Sequence, residues 1–218
     1  MLNLETIDRI LNRLSDSNPV FHSEADFQHN FAWALREELI NKYPHTKIRL
    51  EKPLELAGKT VHLDILISTD IEIAIELKYK TRNPKELITI HDEVFNLKDQ
   101  SAQDCGRYDF LKDISRLEEF VGMGTAHPTG KKIGFAIFLT NDHSYWTKPK
   151  KDKSNDQQFL LFQAREITGK KNWGALASDG TMKGRNYAID LKGSYSIDWK
   201  TYSDSNLYLF KYIALKIG

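Results

Sequence analysis

Hydrophobic residues recur along the chain with two periods, one typical of helices and one typical of strands. Apolar residues three and four positions apart predict a first helix that ends before Pro19 and a second helix over 24–42. The apolar stripes of these two helices are Leu4, Ile7, Leu11 and Leu14, and Phe27, Phe31, Leu35 and Leu39. A third helix is predicted over 100–121, where apolar residues such as Leu111 and Ile114 return at helical spacing.

Strand patterns lie between the second and third helices and again after the third. Alternating apolar and polar residues predict a three-strand meander over 48–56, 61–67 and 71–78. The segment 133–140 is apolar almost throughout, as expected for a strand covered on both faces, so we place it in the middle of the sheet. Shorter alternating segments within 187–217 predict further strands.

Asp64 interrupts the second of these strands, and Glu76 and Lys78 lie near the end of the third. Side chains alternate across a strand, so Glu76 and Lys78 point to the same face. If the three residues after Ser68 form a hairpin loop, Ser68 lies opposite Glu72 and Asp64 lies opposite Glu76. Directly opposed residues have Cβ atoms about 5 Å apart. The register therefore predicts that two carboxylates and one amine meet on one face.

Two carboxylates so close together repel each other unless a cation lies between them. Mg²⁺ fits this position because it prefers hard oxygen ligands and keeps several waters, and Mn²⁺ is a substitute. Such an ion would coordinate a phosphate oxygen and lower the pKa of a bound water, which makes that water a nucleophile for phosphodiester hydrolysis. Lys78 could orient the water or stabilise charge on the phosphate.

The order of Asp64 on one strand and Glu76-Leu77-Lys78 on the next resembles the PD-(D/E)XK nuclease superfamily, which includes restriction endonucleases, Holliday junction resolvases and many repair nucleases. The resemblance covers residues 20–140. It departs at Leu63, which replaces the proline of the motif, although many members lack that proline.

The resemblance implies an α/β fold of the restriction-endonuclease-like type, with a central mixed sheet flanked by helices and with extra C-terminal strands. It also implies that Asp64, Glu76 and the Leu77 carbonyl are metal ligands and that Lys78 lies beside the nucleophile. Glu24, at the start of the second helix, matches an acidic residue that the family often places there.

Each of these residues also has a purely structural explanation. Ser23 is a good N-cap, and the helix dipole favours an acidic residue such as Glu24 in the first turn. Asp64 could form an ordinary salt bridge with Lys78. A Glu-x-Lys pattern on the polar face of a strand also arises by chance.

Composition narrows the possible domain organisation, metal sites and cellular location, but it does not select a function. The chain has 218 residues, 40% of them hydrophobic, which is enough for one sizeable core and a single domain over 1–218. We divide it into an N-terminal helix (1–19), a nuclease-like core (20–140) and a C-terminal decoration (141–218). The single cysteine excludes an intrachain disulfide framework and a multi-cysteine zinc site, and the cytoplasm is the expected location. No membrane partner is expected, because no apolar run approaches transmembrane length.

The net charge is only +1, so any charge that binds nucleic acid must be local. A lysine-rich loop beside Trp146 suits phosphate contact, although such loops are also commonly just solvated. The candidate nucleic-acid-binding residues are Lys80, Gln103, Lys148, Lys150, Lys151 and Lys153.

The sequence thus predicts a Mg²⁺-dependent deoxyribonuclease in restriction, phage defence or repair, with an RNA substrate and a homodimer left open. One alternative is a non-catalytic nucleic-acid or protein-binding domain on the same scaffold. Another is a two-carboxylate hydrolase such as a glycosidase, in which Asp64 and Glu76 would act as acid and base.

Overall fold

The computed structural model describes residues 2–56, 58–124, 130–150 and 154–218. In this part of the chain the helices are α1 (Leu4–Ser17), α2 (Glu24–Ile40), α3 (Gln103–Gly122) and the short α4 (Asp179–Met182), with a 3-10 turn at Gln157–Phe159. The strands are β1 (Lys47–Leu56), β2 (Lys59–Ser68), β3 (Glu72–Lys80), β4 (Ile88–Ile90), β5 (Glu93–Phe95), β6 (Lys132–Thr140), β7 (Glu166–Lys171), β8 (Ile189–Ser196), β9 (Lys200–Asp204) and β10 (Leu209–Ile217). None of the described helices is both long and apolar enough to cross a membrane.

Both N-terminal helices begin at a side chain that caps the first turn. Asn3 Oδ1 accepts a hydrogen bond from the Thr6 amide, and Ser23 Oγ accepts one from the Asp26 amide. The prediction that Ser23 caps the second helix is therefore confirmed. This helix ends at Ile40, two residues before the predicted end, where the chain turns toward β1.

Six strands form a mixed central sheet in the order β1-β2-β3-β6-β10-β9. β3 and β6 pair in parallel, and the other neighbours pair antiparallel. The predicted meander is confirmed by the pairing of Ser68 with Glu72 and of Leu66 with Ala74. The apolar strand β6 lies inside the sheet, as its composition predicts, and the C-terminal strands β9 and β10 join the same sheet.

Each face of the sheet has its own apolar core. The helices α1 and α2 cover one face, where they pack on the odd-numbered residues of β3 such as Ile73 and Ile75. Helix α3 and the β7–β8 hairpin cover the other face, where Ala74 and Phe138 lie. The even-numbered residues of β3, which include Glu76 and Lys78, therefore face α3.

In strand β2, the side chains on either side of Asp64 pack in different cores. Leu63 packs in the α3 core, whereas Ile65, two residues later, packs in the core of α1 and α2. In a regular strand these two side chains would lie on the same face. The alternation is therefore broken at Asp64, which lies between the two cores.

Candidate active site

The candidate site lies where strands β2 and β3 separate. Their backbone pairing ends at Ile65 and Ile75, and the Leu77 amide beyond it donates to Asp64 Oδ2 at 2.6 Å. The Asp64 carbonyl accepts a hydrogen bond from Gln28 Nε2 of α2 at 2.8 Å. Side chains thus replace the ladder hydrogen bonds, and the two strands open into a fork.

Strand β1 is irregular at the same level. Glu51 would pair with Asp64 in the β1–β2 register, but this pair is missing and Glu51 has φ +50°, in the left-handed region. The Glu51 carboxylate accepts a hydrogen bond from Gln28 Nε2 at 2.8 Å. Gln28 therefore ties α2 to both β1 and β2 beside the fork.

Glu76 lies on the α3 side of the fork and is 3% exposed. Its Oε1 receives Arg116 Nη1 of α3 at 2.9 Å, and Nη2 of the same guanidinium contacts Asp113 Oδ1 at 2.9 Å. Arg116 Nη1 also contacts the His62 carbonyl at 3.3 Å. One guanidinium thus joins α3 to both strands of the fork.

Lys78 has an acidic partner on each side. Its ammonium lies 3.1 Å from Asp113 Oδ2 and 4.0 Å from Glu24 Oε1. Glu24 Oε2 accepts a hydrogen bond from the Tyr79 amide at 2.7 Å, which fixes the start of α2 to the end of β3. The Glu24 side chain is 42% exposed and that of Asp113 only 6%, so the cluster opens to solvent on the Glu24 side.

Burial raises the pKa values of three carboxylates in this cluster, those of Asp64, Glu76 and Asp113. Burial raises the pKa of Asp64 to about 6, despite the hydrogen bond from Leu77 and the nearby Lys78 ammonium. Burial, with the negative charges of Asp113 and Asp64, raises the pKa of Glu76 well above its usual value. Burial alone would lower the pKa of Lys78, but Asp113 and Glu24 outweigh it and keep this amine protonated.

When ionised, the carboxylates around the fork outnumber the cations, and a divalent cation would balance this excess of negative charge. When ionised, Glu24, Asp64, Glu76 and Asp113 carry four negative charges. Among the described residues, Lys78 and Arg116 are the cations that pair with them, which leaves a formal charge of −2. No three Asp, Glu, His or Cys side chains among the described residues form a ready-made metal cage. Mg²⁺ does not require one, because it is commonly held by one or two carboxylates, waters and substrate phosphates. Asp64 and Glu76 fit this role, since their hydrogen bonds to the Leu77 amide and to Arg116 engage one oxygen of each.

The structure brings together the four side chains selected from the sequence: Glu24, Asp64, Glu76 and Lys78. Leu77 contributes its amide to Asp64, and its side chain packs among α1 and α2. Sequence reasoning missed Asp113, Arg116 and Gln28. A signal for Asp113 was available, because it stands in the buried stripe of α3 between Phe110 and Leu117, where a charge requires a partner.

The candidate nucleic-acid-binding residues are distributed over a wider area. Gln103 Nε2 donates to Asp142 Oδ2 at 2.8 Å, so its amide is already engaged at the start of α3. Lys80 is half-buried at the end of β3, Lys148 lies over the Phe162 ring, and Lys150 is exposed. Lys151 and Lys153 lie outside the described residues.

Comparison with known proteins adds no relative. No protein-family model matches the sequence, and no curated protein matches it. The case for a function therefore depends on the site itself.

Proposed function

We propose that this protein is a Mg²⁺-dependent nuclease that hydrolyses phosphodiester bonds in DNA. The observation that carries the proposal is the fork, where Asp64 and Glu76 lie among buried carboxylates in excess and Lys78 is held as an ammonium beside them. When the four carboxylates of this cluster are ionised, their charge exceeds that of its two cations by two, which is the charge that one divalent ion balances.

The arrangement of elements supports a restriction-endonuclease-like fold of the PD-(D/E)XK type. Apart from the short strands β4 and β5, which precede α3, the order α2, β1, β2, β3, α3, β6 follows the helix, meander, helix and strand that this resemblance implies. The parallel pairing of β3 with β6 places α3 over the face of the sheet that carries Glu76 and Lys78.

In the proposed reaction Asp64 and Glu76 would hold Mg²⁺, and Leu77, between Glu76 and Lys78, could add its carbonyl. When bound, the ion would polarise the phosphate and lower the pKa of a water molecule. Asp113 and Glu24 keep Lys78 charged and in place, so that its ammonium can hydrogen-bond to the attacking water or to a phosphate oxygen. Arg116 neutralises part of the charge on Glu76 through one of its oxygens, which leaves the other for the ion.

A cleavage assay tests the proposal. Purified protein is incubated with supercoiled, linear duplex, branched and single-stranded DNA, and with single-stranded RNA, in Mg²⁺, Mn²⁺ or chelator. We expect divalent-metal-dependent cleavage of at least one DNA substrate, lost in D64A and E76A because each variant lacks one ligand. Equal cleavage by wild type and D64A would place the activity elsewhere or in a contaminant.

The Arg116–Glu76 pair favours one other candidate, a non-catalytic nucleic-acid-binding domain on the same scaffold, because a buried ion pair can serve structure alone. The same assay separates the two functions. DNA binding without cleavage in Mg²⁺ or Mn²⁺ would favour the binding domain.

A further inference from the structure

A group of cations that form no ion pair with any described residue extends from the candidate active site across the end of the central sheet. It comprises Lys80, Lys211, Lys148, Arg165 and Lys171, here called the cationic band. Within the described residues, none of the five forms an ion pair, in contrast to Lys78, Lys192 and Lys200, which each contact a carboxylate. The net charge of the chain is only +1, so this band is a local feature.

The register of the sheet connects the band to the site. Lys80 on β3 and Lys211 on β10 both pair with Thr140 on β6, so the three residues form one row across adjacent strands. Residues in one row point to the same face, which is the α3 face because Lys78, two positions before Lys80, contacts Asp113. Neighbouring strands are about 4.8 Å apart, so the Cα atoms of Lys80 and Lys211 are about 10 Å apart.

Beyond Lys211 the band continues over aromatic rings. Lys211 Nζ lies 5.7 Å from the centre of the Trp146 ring. The Trp146 carbonyl accepts a hydrogen bond from the Gln163 amide at 3.1 Å, which places Phe162 beside it. The Phe162 ring carries Lys148 Nζ at 5.7 Å and the guanidinium of Arg165 at 5.3 Å. These contacts hold the cations in place by cation–π attraction without neutralising them.

Arg165 and Lys171 form the far end of the band. Gln158 lies between them: its carbonyl accepts a hydrogen bond from Arg165 Nη2 at 3.4 Å, and its Oε1 accepts one from the amide of Asn172, next to Lys171, at 2.7 Å. Burial and the positive charge of Arg165 lower the pKa of Lys171. Two positive charges in proximity repel each other, and an anion bound between them relieves this repulsion. A chain of phosphates provides anions along such a path, and lysine contacts phosphate as a point charge without reading bases.

We propose that the cationic band binds the phosphodiester backbone of the DNA strand that enters the site of Asp64 and Glu76. This inference rests on the proposed nuclease function. The band fixes the position of the strand, and the fork cleaves it.

DNA-binding isotherms at several salt concentrations test the band. A fluorescent oligonucleotide is titrated with wild type, with the triple variant K148A/K171A/K211A and with K216A, in chelator so that no cleavage occurs. Lys216 is the matched control, because it lies on the same strand as Lys211 but on the opposite face and beside Phe135 at the other end of β6.

The triple variant should lose about 0.7 per contact from the slope of log affinity against log salt on single-stranded DNA, or about 2 in total. Its affinity should fall about tenfold to hundredfold at 0.1 M salt, and K216A should match wild type. The three single variants serve if the triple variant does not give a folded circular-dichroism spectrum.

The possible failures are distinguishable. If wild type cleaves DNA but the variants show an unchanged slope of log affinity against log salt, the band does not bind DNA and the nuclease function stands. A reduced slope without cleavage by wild type in Mg²⁺ or Mn²⁺ would support the band and overturn the nuclease function. Absence of DNA binding by wild type would overturn the band.

Discussion

At the scale of single residues, the burial of Asp64 disfavours the ionised form of its carboxyl group. Its carboxylate caps the Leu77 amide at the fork, and burial raises its pKa to about 6, from an ordinary value of 3.8. Between these two pH values the folded protein binds more protons at Asp64 than the unfolded chain does. Its contribution to stability is therefore complete below about pH 4 and is lost as the pH rises through about 6.

Because the contribution of Asp64 to stability falls as the pH rises, D64N should gain stability relative to wild type over the same range. The Asn oxygen can still accept the hydrogen bond from Leu77, and the buried charge is gone. From pH 5 to pH 8, in chelator, the free energy of unfolding of D64N relative to wild type should rise by about 1.4 kcal/mol, because the pKa of Asp64 lies about one unit above pH 5 and each pKa unit corresponds to about 1.4 kcal/mol. Urea unfolding at the two pH values measures it, with D16N at an exposed position of α1 as control. A relative gain for wild type at high pH would contradict the assignment.

Asp113 offers a second prediction at this scale, as a positioning residue for Lys78. D113N keeps the size of the side chain but removes the charge that does most to hold the Lys78 ammonium. Cleavage should slow by about 10- to 100-fold, as expected for residues that orient others in a site. The alkaline limb of the rate against pH should move to lower pH, because the pKa of Lys78 falls when Asp113 is neutral.

The control for D113N is D109N, one turn earlier on α3. Asp109 pairs with Arg185 at 2.7 Å and, among the described residues, forms no ion pair with Lys78 or Arg116. Slower cleavage in D113N without any movement of the pH profile would mean that Asp113 only supports packing.

At the scale of elements, α2 positions the site with its first turns. Its N-cap is Ser23. In the turns that follow, Glu24 accepts a hydrogen bond from the Tyr79 amide and Gln28 donates one to the Asp64 carbonyl. A helix that begins elsewhere would displace both side chains from the fork. The start of α2 is therefore a functional boundary as well as a structural one.

The caps of α1 and α2 form a matched pair for testing this dependence. S23A and N3A each remove one side-chain cap, at a cost of about 1 kcal/mol in the free energy of unfolding. Both should lower stability by similar amounts in urea, but only S23A should also slow DNA cleavage. Equal cleavage by the two variants would show that the start of α2 does not control Glu24 and Gln28.

Elements with strong periodicity were predictable from the sequence, whereas contacts between distant elements were not. The meander and its Ser68–Glu72 register follow from alternation and a three-residue loop, and extending that register beyond the observed pairs selected Asp64 and Glu76. Alternation along β3 added Lys78, and Glu24 was selected by the family resemblance alone. Asp113 and Arg116 reach the fork only because β3 and β6 pair in parallel and place α3 over it. No spacing in the sequence encodes that packing. The break in alternation at Asp64 depends equally on Gln28 and Glu51, which are distant in sequence.

At the scale of the whole molecule, the sheet brings an acidic cluster and a cationic band to one face. The acidic cluster lies between β2, β3 and α3, and the band starts at the end of β3 and crosses β6 toward the loops after it. The nearly neutral net charge hides this separation, which is why composition could not predict it. A surface arranged in this way suits a polyanion whose reacting phosphate must approach carboxylates with the help of a cation.

The most direct test of this account is a calorimetric titration of Mn²⁺ into the protein at pH 8, a pH above the raised pKa of Asp64. Wild type should bind the ion, and D64N and E76Q should each lose most of that binding, whereas D109N should bind as wild type does. The reason is that the ion depends on the two carboxylates of the fork and not on the charge of α3 in general. Equal binding by wild type, D64N and E76Q, or no binding by wild type, would contradict a metal centre at Asp64 and Glu76.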